Sequence, residues 1–307
     1  MSPSSKYNQN QIVSKRLVGI LGVGAIGAVI AKELSFNKNL KLNYFNRSKK
    51  KEIQVQHFED FYKINTSNSF DISNKNQLDW LIICLKEYHF EGAKNWFEKL
   101  IVPKTKIVVI RNGLELKTPL LHYAFEDRIL ECMIDCPVQI DQNGIYQQIK
   151  NVQLASVSGE LATEFQHLFL NKNFSLQQFK DFKTVSWKKL IESASLGAIT
   201  CLTGETCWIF EKKEIKDWYQ KIIEESILVA QADNAIIPND FVIQLLEKVK
   251  TYPKNKGSSM LTDRLKGRPI ELGAKNGVIS KMGEKYKIPT PLNNWVCLML
   301  KYTNREM

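Results

Sequence analysis

Residues 17–27 read Leu17-Val18-Gly19-Ile20-Leu21-Gly22-Val23-Gly24-Ala25-Ile26-Gly27, an apolar run that leads directly into three closely spaced glycines. A further apolar stretch continues to Leu34. This order predicts a buried strand, a tight turn and a helix: Gly22 allows the turn, Gly24 lets a pyrophosphate approach the backbone, and Gly27 lets the helix pack on the strand. Free N–H groups and the helix dipole would hold the phosphates. The six residues from Gly22 to Gly27 are therefore a candidate dinucleotide site.

A secretory signal is the alternative interpretation of this region, because Lys15-Arg16 precede an uncharged run from Leu17 to Ala31. Four glycines interrupt that run and Lys32-Glu33 follow it at once, which favours the strand, turn and helix. No other segment has the length needed to span a bilayer. We therefore expect a cytoplasmic protein with no membrane partner.

Composition narrows the functional classes. The chain has 307 residues, a formal net charge of +11 and six cysteines, and its length suits two domains. The cysteines lie mostly in apolar runs and form no CxxC pair or Cys/His cluster, so we expect reduced core thiols and no metal site. Basic residues are spread along the chain without aromatic interleaving, which argues against a nucleic-acid partner.

The order of strand-like and helix-like runs predicts the architecture. The first half alternates the two, as in a parallel sheet covered by helices, and the rest has helical periods. Candidate strands are Leu17–Leu21, Leu40–Phe45, Leu78–Leu85, Lys106–Ile110 and Ile129–Ile134, then a more polar section from Val138 to Val157 with a hairpin turn at Asn143-Gly144. Candidate helices are Ser186–Leu202, Ile215–Ala235, Asp240–Lys250, Pro269–Met282 and Leu292–Tyr302. The predicted fold class is α/β, with a flexible extension over 1–15, a Rossmann-type domain over 16–180 and an all-α domain over 181–307.

The end of the second predicted strand indicates which dinucleotide binds. In NAD-binding versions of such a domain this strand ends in an acid that accepts hydrogen bonds from the ribose 2′-hydroxyl. Here Asn46-Arg47-Ser48 follow Phe45, and Lys49, Lys50 and Lys51 come next. A guanidinium can grip a 2′-phosphate that a carboxylate would repel, so Arg47 favours NADPH. A solvated basic loop is the alternative.

Four further stretches stand out, and together with the glycine turn and Arg47 they carry a resemblance. They are Leu85-Lys86, Arg111-Asn112-Gly113, Trp187-Lys188-Lys189-Leu190, and Ser258-Ser259-Met260-Leu261-Thr262-Asp263 running on to Gly267-Arg268-Pro269-Ile270-Glu271. In this order the chain resembles the ketopantoate reductases (2-dehydropantoate 2-reductases) over nearly its whole length after the extension.

The resemblance implies NADPH-dependent reduction of a 2-oxo acid, most simply ketopantoate to pantoate in pantothenate and coenzyme A biosynthesis, in a cleft between the two domains. It implies that Lys189 is the general acid and that Glu271 supports it and binds the substrate hydroxyl. Ser259, Ser193 and Asn112 would contact the substrate. Asn112, Lys86 and Glu271 would also lie near the cofactor. A homodimer is a further implication.

The chemistry suits these residue types. Hydride attack on a ketone builds negative charge on oxygen, so an ammonium that stabilises the charge and donates a proton helps twice. We expect Lys189 in the first turn of a helix capped by Ser186, where the helix dipole would lower its pKa. We expect Pro269 to begin another helix, whose N-terminus would keep Glu271 ionised beside Lys189. The Glu271 carboxylate would then raise the pKa of Lys189, against the effect of the helix dipole.

The chain departs from the family at three positions. Ser193, Gly197 and Cys207 stand where the family usually has asparagines that hold the substrate, so we expect a roomier or less polar wall there. Three alternatives stay open: a relative that reduces a different 2-oxo acid, a dehydrogenase of the same architecture that acts on a sugar phosphate or an opine, and a regulatory protein that binds NADPH without catalysis.

Overall fold

The structure of this chain, a computed structural model, describes residues 15–47, 51–66 and 77–303. All but one residue of the predicted extension over 1–15, and residues 48–50 of the predicted basic loop, lie outside those ranges. The strands are β1 Arg16–Leu21, β2 Leu40–Phe45, β3 Glu52–His57, β4 Asp60–Asn65, β5 Trp80–Ile83, β6 Lys106–Ile110, β7 Ile129–Asp135, β8 Val138–Ile140, β9 Tyr146–Gln148, β10 Val152–Val157 and β11 Phe174–Phe179. The α-helices are α1 Ala25–Ser35, α2 Lys94–Leu100, α3 Glu160–Gln166, α4 Phe182–Thr203, α5 Lys213–Ala232, α6 Phe241–Lys250, α7 Ser259–Leu265, α8 Val278–Tyr286 and α9 Pro291–Thr303.

The main sheet has the order β11-β10-β7-β6-β5-β1-β2. Strands β2, β1, β5, β6 and β7 pair in parallel, as the alternation of elements predicted. Strand β10 pairs antiparallel with β7, so the sheet is parallel in its larger part and not throughout. Separate apolar clusters cover its two faces, one including α1 and α3 and the other including Phe97 and Leu100 of α2. The α/β prediction for this half of the chain is confirmed.

A second, four-stranded sheet of order β4-β3-β9-β8 packs beside α1. The hairpin predicted at Asn143-Gly144 joins β8 to β9, and Gly144 has a φ of 80° that suits glycine in a tight turn. Strands β3 and β4 were not predicted, because their sequence is largely polar and their buried apolar residues are few: Ile53 and Val55 of β3 and Ile64 of β4.

The rest of the chain, from Phe182 on, is helical around its own apolar cluster, which includes the fully buried Trp187. Two predicted helix starts are wrong. Helix α4 begins at Phe182, and the Asp181 carboxylate caps it by accepting from the Thr184 N–H at 3.0 Å. Ser186 lies inside this helix, where its hydroxyl donates to the Phe182 carbonyl.

The second correction concerns the helix predicted over Pro269–Met282. Residues 269–272 are not helical; Gly273–Gly277 form one π-helical turn, and α8 follows directly at Val278. Proline is compatible with a first helical turn but equally with extended backbone, and here the chain stays irregular after it. Glu271 therefore precedes the helical turn instead of lying within it.

Candidate active site

The glycine turn after β1 has the geometry that the sequence predicted. Gly22 has a φ of +89°, and a Cβ on Gly27 would lie 2.3 Å from the Gly22 carbonyl oxygen, so neither position accepts a side chain without a backbone shift. A Cβ on Gly24 would meet no described atom within 4 Å. Open space therefore lies beside Gly24, where a pyrophosphate would approach.

Helix α1 leaves this space suitable for an anion. Gly24 is its N-cap, and among the described residues neither a side-chain cap nor an acid occupies its first turn. The first N–H groups of a helix have no partners within it, so those of Ala25 and Ile26 suit a phosphate. The N–H of Val23 is already donated to the Asn46 side chain at 2.6 Å. Val23 consequently shapes the turn and does not offer its own N–H.

Five segments meet at the carboxyl edge of the parallel strands. The glycine turn follows β1, Asn46-Arg47 follow β2, Lys86 lies three residues after β5, Asn112 follows β6 closely, and Asp135 ends β7. Ligands of open α/β sheets bind outside this edge, where the strand order reverses. Here the reversal is at β1, which lies between β2 and β5. Arg47 is exposed at this place, as a residue that receives a ribose phosphate must be.

The helical elements cover the same edge. Lys189 of α4 lies 3.7 Å from Asp135, and Lys86 lies 2.5 Å from Asp263 of α7. A Cβ on Gly113 would lie 3.3 Å from the carbonyl oxygen of Ala274 in the π-helical turn. This junction of sheet edge and helical elements, the cleft, thus holds Lys86 and Lys189, predicted site residues from the two halves of the chain.

Lys189 is oriented by a residue that sequence reasoning missed. Its Nζ lies 3.7 Å from Asp135 Oδ1, while Oδ2 of the same carboxylate accepts from Lys150 at 2.6 Å. Burial disfavours the Asp135 carboxylate, but Lys150 and Lys189 outweigh that effect and lower its pKa. Lys189 lies seven residues after Phe182, so the expected placement in the first turn of a helix, and the dipole effect drawn from it, are wrong.

Glu271 lies among cations, but no ion pair joins it to Lys189 in the described part of the chain. Its charge acts on Lys86, Arg111 and Lys275 instead. Burial alone would lower the pKa of Lys86, yet the hydrogen bond to Asp263 and the charge of Glu271 raise it. Asp263, for which the sequence predicted no role, is buried and also pairs with Arg268 at 2.8 Å.

The segment after β6 contributes two buried polar groups. Arg111 is 9% exposed and lies over the Phe90 ring at 4.9 Å, and burial lowers its pKa. Its Nε and Nη1, and the Oδ1 of Asn112, are buried without a hydrogen-bond partner among the described residues. Such groups are costly unless a ligand or water satisfies them. The Asn112 amide is therefore available to a bound molecule.

The wall at Ser193 and Gly197 differs from the expectation in one respect. A Cβ on Gly197 would lie 2.5 Å from the sulfur of Met260, so that side chain fills the space and the wall is not roomier. It is less polar, because Met260 is apolar and the Ser193 hydroxyl donates to the Leu190 carbonyl of its own helix. Cys207 is buried in the apolar cluster of the helical region.

The π-helical turn supplies one more cation, Lys275. This side chain is buried, and its Nζ donates to Ser259 Oγ at 3.3 Å. Sequence reasoning assigned Ser259 to the substrate and passed over Lys275, because a single lysine in a helical pattern is ordinarily a solvated surface residue. The adjoining Gly273, Asn276 and Gly277 were the available signal that the backbone here is irregular.

Comparison with known families identifies this arrangement. A family model described as ketopantoate reductase PanE/ApbA matches residues 18–158, and the model of the C-terminal part of the same family matches residues 181–304. The chain belongs to the ketopantoate reductase family. The two matches cover most of the chain, the first over the strands of the main sheet up to β10 and the second over the helices from α4 on.

Individual relatives of this ketopantoate reductase family member agree. The chain is 24% identical to a 2-dehydropantoate 2-reductase of Caulobacter vibrioides over 92% of this chain and 97% of that protein. It is 25% identical to a 2-dehydropantoate 2-reductase of Mycobacterium tuberculosis over 71% of this chain and 73% of that protein. A dimeric ketopantoate reductase from Staphylococcus aureus has the same fold, with a TM-score of 0.82, 21% identity and coverage of 94% and 98%. A D-mandelate dehydrogenase solved with NADH and anilino(oxo)acetate also shares it, with a TM-score of 0.81, 14% identity and coverage of 94% and 98%.

Proposed function

We propose that this chain is an enzyme that reduces a 2-oxo acid to a 2-hydroxy acid with NADPH, and that ketopantoate is the substrate and pantoate the product. Residues 16–180 would be the cofactor domain and residues 181–307 the helical substrate domain. The observation that carries the proposal is the junction of the two halves of the chain: Lys189 lies against Asp135 and Asp263 against Lys86, at the sheet edge that also carries the glycine turn and Arg47. Ser259 and Glu271 would line the helical side of this junction.

The residues present fit the cofactor. Gly24 faces open space, the start of α1 is uncapped, and Arg47 is exposed at the end of β2. These features suit a pyrophosphate and a ribose 2′-phosphate. Gly22, Gly24, Ala25, Ile26 and Gly27 would line the pyrophosphate. Bound NADPH supplies the hydride that reduction of a ketone requires.

The protein's own groups would manage the charge and the proton. As the carbonyl carbon gains a hydride, its oxygen gains the negative charge that the Lys189 ammonium stabilises and then neutralises by proton transfer. Asp135, 3.7 Å from the same ammonium, would orient it. Ser259 and Asn112 would hold the substrate, while Lys86 and Glu271 would stay near the cofactor and the developing hydroxyl.

The substrate itself is tested by a panel. Purified protein with NADPH should consume the cofactor in the presence of ketopantoate or another branched 2-oxo acid, and the acid with the highest kcat/KM is the substrate. If the protein turns over a different 2-oxo acid and not ketopantoate, the assignment of ketopantoate as the substrate is wrong and the assigned reaction stands. Tight NADPH binding without turnover of any panel member would contradict the enzymatic assignment.

Arg47 should set the choice of cofactor. Arg47→Ala removes the guanidinium proposed to hold the 2′-phosphate, and charged hydrogen bonds of this kind contribute about 1.5–3 kcal/mol. We expect KM for NADPH to rise about 10- to 100-fold and KM for NADH to change little. Arg128→Ala, an exchange of an arginine in a turn before β7, is the control. An unchanged ratio of kcat/KM for NADPH and NADH in Arg47→Ala would refute the assignment.

A homodimer and a cytoplasmic location remain part of the proposal. The relative from Staphylococcus aureus is described as dimeric. In this chain Trp218 of α5 and Trp295 of α9 lie side by side with ring centroids 5.6 Å apart, and both are more than a third exposed. An exposed aromatic pair suits a contact between copies.

No helix in the described ranges is long and apolar enough to cross a bilayer.

A further inference from the structure

Lys275 has surroundings that are unusual for a lysine. It lies in the π-helical turn between the irregular segment of Glu271 and helix α8, and it is 7% exposed. Its Nζ reaches Ser259 Oγ at 3.3 Å and the Ser193 carbonyl oxygen at 3.4 Å. Within the described ranges it forms no salt bridge with a carboxylate. A buried ammonium ordinarily has such a partner, because burial without one is costly.

The charged groups around Lys275 are paired with one another and not with its ammonium. The groups that act on it are Glu271 beside it, Asp263 on α7, Lys189 and the Cys201 thiol on α4, and Lys86 after β5. Asp263 is already paired with Lys86 and Arg268. Lys189 in turn lies 3.7 Å from Asp135, so both neighbouring ammonium groups have a carboxylate partner, whereas Lys275 forms no ion pair with Glu271 or Asp263 in the described ranges. Burial is the main reason that the pKa of Lys275 falls from 10.5 to about 8.

We propose that Lys275 binds the carboxylate of the 2-oxo acid substrate. The proposal rests on the function proposed above and names the group that recognises the acid. Nζ contacts Ser259, a proposed substrate residue, and the backbone of Ser193 on the wall that carries Lys189. A substrate carboxylate at this point would complete the ion pair that the protein leaves unmade. It would also supply the anchoring that Gly197 and Cys207 do not, since neither carries an amide.

The position also separates two tasks. Lys189 is one-third exposed and held by Asp135, whereas Lys275 is buried and held by neutral oxygens. A proton donor must exchange its proton with solvent between turnovers, and an anchoring cation need only stay charged. Hence we assign proton transfer to Lys189 and substrate anchoring to Lys275.

Lys275→Met tests this inference, because methionine matches the four-atom apolar stem of the lysine side chain and removes its ammonium group. KM for the 2-oxo acid should rise about 10- to 100-fold, as expected for a lost charged hydrogen bond, and kcat should fall much less. Lys275→Met should reduce the methyl ester of the same acid with the KM of wild type. The preference of wild type for the acid over the ester should therefore disappear in the variant. The exposed Lys281→Met on α8 is the matched control and should behave as wild type.

The wild-type protein gives a second test that needs no variant. The carboxyl group of a 2-oxo acid stays ionised at all pH values used, so the protonation of Lys275 should govern binding of the acid. KM for the acid should be constant below about pH 8 and rise about tenfold per pH unit above it. KM for the ester should not depend on pH in this way. In Lys275→Met the pH dependence of KM for the acid should also be lost.

The variant should fold. The pKa of Lys275 is lower in the folded chain, about 8, than its ordinary value of 10.5, so the buried ammonium destabilises the fold below pH 8 and this cost fades between pH 8 and 10.5. Lys275→Met should therefore have a higher Tm than wild type at pH 7. The gap should close toward pH 10.5.

The outcomes separate this inference from the proposed function. Wild-type protein that reduces no 2-oxo acid would refute the proposed function. Active wild-type protein with an unchanged KM and acid preference in Lys275→Met would refute the role of Lys275 alone. A large loss of kcat with KM unchanged would also overturn it, because it would show that Lys275 acts on the reacting oxygen and not on the carboxylate.

Discussion

Replacing Lys189 with methionine is expected to lower kcat about 10²- to 10⁴-fold, the range in which a positioned proton donor contributes to catalysis. Lys189 is on the face of α4 that lines the cleft, and its ammonium is held by Asp135 at 3.7 Å. Methionine keeps the apolar part of the side chain and removes the charge and the proton. Steady-state kinetics with NADPH and ketopantoate measure the effect, and NADPH affinity by fluorescence should stay within about twofold of wild type.

Lys188 is the matched control for this variant. It is the preceding residue on the same helix, about 100° away around the axis, and it is half-buried like Lys189. Lys188→Met should retain nearly all activity. Equal losses in the two variants would indicate a general effect of charge on α4, and full activity in Lys189→Met would remove Lys189 from the mechanism.

Gly24 and Gly27 should respond to alanine in different ways. A Cβ on Gly27 would lie 2.3 Å from the Gly22 carbonyl, so Gly27→Ala should force apart β1 and α1, at a cost of about 1–3 kcal/mol in the free energy of unfolding, and weaken NADPH binding. A Cβ on Gly24 would meet no described atom within 4 Å, so Gly24→Ala should keep the wild-type Tm. It should nevertheless raise the Kd of NADPH more than about tenfold, because the methyl group would occupy the space of the pyrophosphate.

Thermal unfolding and NADPH titration of the two variants distinguish a cofactor site from an ordinary strand-to-helix turn. Loss of affinity without loss of Tm in Gly24→Ala is specific to a ligand beside this residue. A Gly24→Ala protein that binds NADPH like wild type would contradict the placement of the pyrophosphate, whatever happens in Gly27→Ala.

The sequence predicted the elements whose pattern is local. Buried parallel strands such as β1 and β6 are apolar after their first residue, and the glycine turn needs specific backbone conformations, so both are visible in a short window. Strands β3 and β4 were missed, because their sequences are largely polar. The pairing of β3 with β9 joins Val55 to Tyr146, 91 residues along the chain, which no local pattern reveals.

The site was predicted in its residue types more fully than in its contacts. Lys189 and Lys86 were found through motif order, but their partners Asp135 and Asp263 are 54 and 177 residues away along the chain. No local pattern connects such pairs. The expected cap at Ser186 failed for a related reason: Asp181 also suits an N-cap, and only tertiary packing makes the earlier residues helical.

Lys275 shows what sequence pattern cannot supply. A lysine in a helical stretch is nearly always solvated, and only the packing of the π-helical turn against α4 and α7 buries this one. The loss of polar side chains at Gly197 and Cys207 was visible in the sequence. The cation that faces the same wall was not, because it belongs to a different element.

Transfer of deuterium tests the central claim most directly. The protein is incubated with ketopantoate and NADPH carrying deuterium at both C4 positions of the nicotinamide, and the acid product is analysed by mass spectrometry and NMR. We predict pantoate with one deuterium on C2, formed in equal amount to the NADP⁺ produced. NADPH that binds but yields no deuterated 2-hydroxy acid, from ketopantoate or from any other 2-oxo acid offered, would contradict the account.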